Sequence, residues 1–229
     1  MAALLSAMSA PAIQPTEFSG VFTDGVRLYT MNSAPGSAVY GERLVSFDGC
    51  EYREWSVTRS KLAAYLRNGG RRLPLEPTSS VLYLGAASGT TASHVADVAC
   101  RGTVYCIEFS PRSFRDLVTV CEQRPNMVPL LADATRPAEF AFAVDSVDLV
   151  YQDVAQKGQA GILAKNMKAF SAPRGMLVVK SRSEDVSREP REVYGMVRRQ
   201  LSADGLKVIE TVPLDPMEKD HAMMVVEQA

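Results

Sequence analysis

The chain is poor in metal-binding and redox chemistry. Its 229 residues hold four cysteines, two histidines and one tryptophan. None of Cys50, Cys100, Cys106 and Cys121 stands in a C-x-x-C pair. With only His94 and His221 to add, no structural zinc site is expected. Cys106 falls in an apolar run and Cys121 on the apolar side of a helical pattern, so both read as buried, reduced thiols. A Cys106–Cys121 bridge is the lesser alternative. No run of about 18 apolar residues occurs, so no membrane span is expected. The start, M-A-A-L-L-S-A-M-S-A-P-A, is apolar but lacks a basic segment. It reads as a frayed terminus rather than a secretory signal, with Met8 as an alternative start, and a cytoplasmic location is expected. Net charge is −1, which argues against strong binding to nucleic acid by this chain alone. Arginine outnumbers lysine 18 to 7; genomic composition is one explanation, and local phosphate-holding patches are the other.

Two familiar phosphate cradles are also missing. Residues 85–89 read G-A-A-S-G, which is neither G-x-G-x-x-G nor the start of a G-K-[ST] loop. What surrounds them is nonetheless a nucleotide-binding pattern. Val81–Leu84 is a short apolar run, as a buried parallel strand should be. Gly85 and Gly89 let the backbone turn tightly, and a helix begins near Thr90 with unpaired N–H groups at its start. Thr103–Ile107 reads as a second strand, with Glu108 at its end. An acid about 20 residues after a Gly-rich turn is placed to accept hydrogen bonds from ribose hydroxyls. A ligand with ribose but no phosphate fits this pattern, and S-adenosyl-L-methionine is such a ligand.

Apolar content of 46% and charged content of 22% are those of an ordinary globular protein. The chain divides in two. Residues 1–55 carry Asp24-Gly25, Asn32-Ser33, Pro35-Gly36 and Asp48-Gly49 between short runs at Val26–Thr30, Val39–Tyr40 and Arg43–Ser46, which predicts a small β-rich unit. Residues 56–229 alternate strand and helix. A first helix spans about Val57–Asn68, capped by Thr58 or Ser60. Ser110-Pro111 opens another, whose apolar residues Phe114, Leu117, Val118 and Cys121 fall on one face. Further strands are expected at Met127–Leu131, Val147–Tyr151, Gly175–Lys180, Leu206–Val212 and His221–Glu227, and helices at Gln159–Phe170 and Pro190–Leu201. Only a loop, Leu214–Asp220, separates the last two strands, so they must pair antiparallel. The expected fold is therefore α/β: a class I methyltransferase, with a Rossmann-like seven-stranded sheet, its last strand antiparallel.

The polar residues of interest sit at strand ends, where such sheets bind ligands. Gly85 and Ala86 would approach a cofactor through the backbone, and Thr90 and Thr91 would meet its carboxylate. Glu108 would take the ribose and Phe109 lie against adenine. Asp133 with Ala134 would read the adenine amino group, and Asp153, Val154, Ala155 and Gln156 would line the methionine end. A solvated strand terminus explains Glu108 or Asp133 singly, less well both together. A second set, Lys61, Asp153, Lys180 and His221, converges above the same sheet edge. A lysine beside another cation can lose its proton and act as a base toward a ribose hydroxyl. No phosphoryl group is transferred in such a reaction, so no metal is expected. Arg53, Arg59, Arg182 and Arg188 are weaker candidates for RNA contact.

Several segments resemble the archaeal fibrillarin-like rRNA and tRNA 2'-O-methyltransferases. They are V-Y-G-E-R-L (39–44), E-Y-R-E-W (51–55), R-S-K-L-A-A (59–64), L-Y-L-G-A-A-S-G-T-T (82–91), E-F-S-P-R (108–112), L-A-D-A (131–134), Y-Q-D-V-A-Q (151–156), V-K-S-R-S (179–183) and D-H-A (220–222). The resemblance implies a Lys-Asp-Lys-His catalytic set on Lys61, Asp153, Lys180 and His221, with S-adenosyl-L-methionine as cofactor. It implies work within a box C/D ribonucleoprotein. There a guide RNA selects the nucleotide in rRNA or tRNA, a kink-turn-binding ribosomal-type protein nucleates assembly, and a coiled-coil Nop-domain scaffold holds the enzyme. The chain lacks the Gly/Arg-rich tail of eukaryotic members, which favours the archaeal type. Where the family often has Pro after Y-Q-D-V-A-Q, this chain has Lys157, either an RNA phosphate contact or a solvated side chain. The rival readings are a non-catalytic assembly subunit and a methyltransferase for a small molecule or protein glutamine. The absence of an N-P-P-Y-type turn disfavours the latter.

Overall fold

The computed structural model describes residues 12–229. The expectations for the apolar start before that point, Met8 included, lie outside the described residues. Five short strands come first: β1 (Gln14–Pro15), β2 (Val21–Thr23), β3 (Leu28–Met31), β4 (Leu44–Phe47) and β5 (Cys50–Trp55). They form an antiparallel sheet in the order β1-β2-β3-β5-β4. Turn chemistry sets the hairpins. Asp24 Oδ1 accepts from the N–H groups of Val26 and Arg27 at 2.9 and 2.7 Å, closing β2 on β3. Asp48 and Gly49 both have positive φ, the conformation a tight hairpin between β4 and β5 requires. Val39–Tyr40 is not a strand. Its two N–H groups donate to the Glu42 carboxylate instead of to a neighbouring strand.

The larger part follows as α1 (Lys61–Arg67), β6 (Val81–Leu84), α2 (Thr90–Val98), β7 (Val104–Glu108), α3 (Pro111–Glu122), β8 (Met127–Leu131), β9 (Leu149–Gln152), α4 (Gln159–Ala169), β10 (Arg174–Lys180), α5 (Ser181–Glu184), α6 (Pro190–Ala203), β11 (Leu206–Pro213) and β12 (His221–Gln228). Its seven strands lie in the order β11-β12-β10-β9-β6-β7-β8. Only β12 runs antiparallel to its neighbours, pairing that way with both β10 and β11. All four residues of β6 and all five of β7 are buried, and all but the terminal Glu108 are apolar. Helix α1 starts at Lys61, later than the spacing predicts, because Ser56–Arg59 forms a turn and Ser60 is the cap.

Two apolar layers cover the sheet. Leu62, Ala92 and Leu117, from α1, α2 and α3, pack on one face; Leu163, Val193 and Leu201, from α4 and α6, pack on the other. Each fully buried leucine contributes about 1.5–3 kcal/mol relative to exposure. Cys106 and Cys121 face each other inside the first layer as free thiols. The small sheet is tied to α2 by a buried polar cluster. Arg53 meets Glu42 at 2.6 Å and Asp97 at 2.7 Å, with Arg124 3.5 Å from Asp97. No helix among the described residues is long and apolar enough to cross a membrane.

Candidate active site

Strands β6 and β9 are adjacent and parallel, at the point where the chain order along the sheet reverses. Such a crevice is where open α/β sheets take ligands. Gly85 leaves β6 with φ +82°, and a Cβ there would lie 2.8 Å from the Asp153 carbonyl oxygen. Glycine alone lets the loop close against the end of β9. The N–H groups of Gly85 and Ala86 both donate to the Ile107 carbonyl, at 2.9 and 3.0 Å. Ala86 is buried, and its neighbours Gly85 and Ala87 line the cleft.

The cleft, about 310 Å³, is lined by Gly85, Glu108, Phe109, Asp133, Asp153 and Lys180, among others. Glu108 accepts from the N–H groups of Ala87 and Ser110, each at 2.8 Å. One lone pair on each oxygen is thereby used, and the carboxylate is fixed with the rest free to accept. Asp133 Oδ1 accepts from the Thr135 N–H and hydroxyl, both at 2.8 Å, which hold its carboxyl below the usual carboxylate range. Phe109 is 74% exposed, an aromatic face with no packing partner of its own. Ala134, Val154, Ala155 and Gln156 complete the predicted lining, and Ile107 and Ala132 join it unpredicted. Thr90 and Thr91 do not line it. The Thr91 hydroxyl is buried and bonds Ser60 Oγ at 3.0 Å, so it faces α1 rather than the cleft.

Lysines flank Asp153 on both sides. Lys61 Nζ lies 3.1 Å from its Oδ2, and Lys180 Nζ lies 2.7 Å from its Oδ1. The Lys180 contact with Oδ1 is ionic, and its well-angled hydrogen bond goes to the Asp153 carbonyl at 3.0 Å. Glu218, in the loop between β11 and β12, approaches Lys61 at 3.9 Å. No periodicity marks Glu218; it needs the β11–β12 pairing to be seen. His221 stands opposite Lys180 in the β10–β12 register. Its Nδ1 lies 2.7 Å from the Lys219 carbonyl, which only accepts, so Nδ1 carries the proton and Nε2 is left free.

Below this set runs a buried hydroxyl group of partners. Ser60 Oγ caps α1 by accepting from the Ala63 N–H, and also bonds Trp55 Nε1 at 2.9 Å and Thr91. One hydroxyl thus joins β5, the helix that begins with Lys61, and α2. Tyr83 and Tyr151 lie nearby with ring centroids 4.5 Å apart and planes tilted by 33°, and burial pushes both phenols well above their ordinary range.

The four arginines separate. Arg53 is fully buried, held by Glu42, Asp97 and Ser93, and presents no guanidinium to RNA. That correction follows from its place on β5, facing α2. Arg59 is exposed over the Tyr40 ring at 5.8 Å. Arg182 and Arg188 are exposed and paired with Asp220 and Asp185, at 2.9 and 3.1 Å. Lys157 is exposed beside the cleft. No group of three or more His, Cys, Asp or Glu among the described residues could hold a metal ion.

The strand order, the antiparallel last strand and a carboxylate-lined cleft at the reversal define a class I S-adenosylmethionine-dependent methyltransferase fold. Within that class the chain belongs to the fibrillarin family, whose model, described as Fibrillarin, matches residues 13–229. A Methanopyrus kandleri fibrillarin-like rRNA/tRNA 2'-O-methyltransferase is 49% identical over 219 residues, 92% of this chain and 94% of its own. Aeropyrum pernix fibrillarin, solved with natively bound S-adenosyl-L-methionine, gives a TM-score of 0.86 at 43% identity, covering 94% of this chain and 97% of its own. The fibrillarin/Nop5p complex matches with a TM-score of 0.85 at 38% identity, over 92% and 98%.

Proposed function

We propose that this chain methylates the ribose 2'-oxygen of rRNA and tRNA as the catalytic subunit of a box C/D guide-RNA ribonucleoprotein. The observation that carries the reading is the Lys61–Asp153–Lys180 contact set at the mouth of a cleft suited to a nucleoside. The family relationship supports the substrate class, and the named Nop5p complex of a relative supports a Nop-domain scaffold as partner. A guide RNA and a kink-turn-binding protein complete the particle in this reading, and site choice belongs to base pairing. A net charge of −1 suits a subunit that leaves RNA selection to others. The reading also takes residues 1–55 as a separate β-rich domain, 56–229 as the catalytic domain, and the location as cytoplasmic.

The cleft fits S-adenosyl-L-methionine. The fixed Glu108 carboxylate suits ribose hydroxyls, Asp133 with Ala134 suits the adenine amino group, and Phe109 offers its face to the ring. The Gly85 turn lies close against Asp153, where a Cβ would meet the main-chain carbonyl. When bound, this cofactor supplies an electrophilic methyl group on a sulfonium. The residues of the chain do the rest. In this reading Lys180 takes the proton from the 2'-hydroxyl, which makes that oxygen the nucleophile. Asp153 orients Lys180 through two contacts and holds Lys61 on its far side. Lys61 and the free Nε2 of His221 position the ribose and its phosphate.

Asp153→Ala tests the assignment. Methyl transfer should fall to background in a reconstituted particle while the melting temperature and particle assembly hold. Full activity in this variant removes the mechanism.

A further inference from the structure

Strand β9 stops short of β10. Their last paired residues are Gln152 and Leu177, so Lys180 extends beyond any β9 partner. Its main-chain groups on that side are taken by a side chain. Lys180 N–H donates to Gln159 Oε1 at 2.9 Å, and Gln159 Nε2 donates to the Lys180 carbonyl at 3.1 Å. A primary amide holds an N–H donor and an oxygen acceptor in one plane, and here the pair replaces the missing strand residue. The same residue grips the neighbouring strand end. Its carbonyl accepts from Gln152 Nε2 at 2.8 Å, and Gln152 directly precedes Asp153. Its own N–H donates to Glu184 at 2.6 Å. Both Gln159 and Gln152 are fully buried, so water does not compete for these bonds.

We propose that Gln159 is a positioning residue for methyl transfer: its amide fixes the backbone of Lys180 relative to Asp153 and so sets the reach of the base. This rests on the reading of Lys180 as that base. Lys180 is on a strand end with one ladder partner, β12, and without Gln159 its main chain could shift relative to Asp153. A displacement of about 1 Å at a reacting group costs on the order of 100-fold in rate.

Gln159→Glu isolates the effect because its shape is nearly unchanged. The ionised carboxylate has no hydrogen for the Lys180 carbonyl and repels it. The neutral acid donates there as the amide did. Burial and the facing carbonyl both favour the neutral form, so acid restores the original pattern. The measurement is kcat of the folded particle, variant over wild type, from about pH 9 to about pH 6, with cofactor Kd and RNA KM taken alongside. The ratio should rise at least about fivefold on acidification, with Kd and KM within about twofold. Gln159→Met, which loses both bonds at every pH, should stay low across the range, down roughly 10- to 100-fold. A flat Gln159→Glu ratio together with near wild-type rates in Gln159→Met overturns the positioning role, as does a loss explained by unfolding or by weaker cofactor binding. Lys180→Ala is run beside them. Its inactivity together with near wild-type rates in Gln159→Met overturns this inference alone, whereas wild-type rates in Lys180→Ala overturn the reading beneath it.

Discussion

Lys180 touches Asp153 twice: its Nζ is 2.7 Å from the carboxylate Oδ1 and 3.0 Å from the main-chain carbonyl. Lys61 touches the same aspartate once, at 3.1 Å, and shares itself with Glu218. The two lysines are therefore not equivalent, and their variants should separate. Lys180→Ala should lower kcat by about 100- to 10,000-fold with cofactor Kd nearly unchanged, the usual loss for a general base. Lys61→Ala should act more on RNA KM. Rapid-quench methyl transfer, with isothermal titration of the cofactor, checks both. Equal losses confined to KM would contradict the assignment.

Gly85→Ala should damage the cofactor site and press on the Asp153 main chain to which Lys180 donates. The position needs φ +82°, and the added methyl would meet the Asp153 carbonyl at 2.8 Å. Strain of this kind costs about 1–3 kcal/mol. Denaturant unfolding should show that loss, and calorimetry should show cofactor affinity down at least tenfold. Wild-type affinity would place the ligand elsewhere than against this loop.

Asp97→Ala should be among the most destabilising surface-distant changes in the chain. The side chains of Asp97, Arg53 and Arg124 are fully buried, and the carboxylate contacts both guanidinium groups. Removing it leaves Arg124 without its carboxylate and Arg53 with Glu42 alone, which costs about 3–5 kcal/mol. Chemical denaturation measures this, and a change under about 1 kcal/mol would show that water reaches the cluster.

His94 predicts an acid limb in stability. Burial first, then the Arg53 and Arg124 charges, push its pKa well below the ordinary 6.5. The ring is stacked on Trp55 at 5.1 Å and bonded at both nitrogens, to Thr30 and Tyr40. The unfolded chain takes up the proton before the folded one does. Stability is therefore full above pH 6.5 and declines as pH falls below it. His94→Phe, even if less stable throughout, should lose the part of the slope that begins there. Identical slopes in wild type and variant would show that His94 titrates normally.

Much of this was legible in the sequence because its signals are local. The run Val81–Leu84 is a strand to the residue, and Pro111 follows the cap Ser110 as the spacing predicts. The loop between the last two strands forced their antiparallel pairing. The acids at strand ends, Glu108, Asp133 and Asp153, do gather in one cleft. Partnership across the fold was not legible. Arg53 reads as any surface arginine until β5 is laid on α2. Thr91 reads as a ligand contact until Ser60 is found beneath it. Gln159 is a polar residue at a helix start, and only the early end of β9 gives its amide a purpose.

The most direct test compares two guide-paired targets in a reconstituted particle with labelled S-adenosyl-L-methionine. One carries ribose at the selected nucleotide and the other carries 2'-deoxyribose there. Label on the ribose target alone, lost with Asp153→Ala, is the predicted result. Equal label on both targets would move the methyl group to a base and contradict the account.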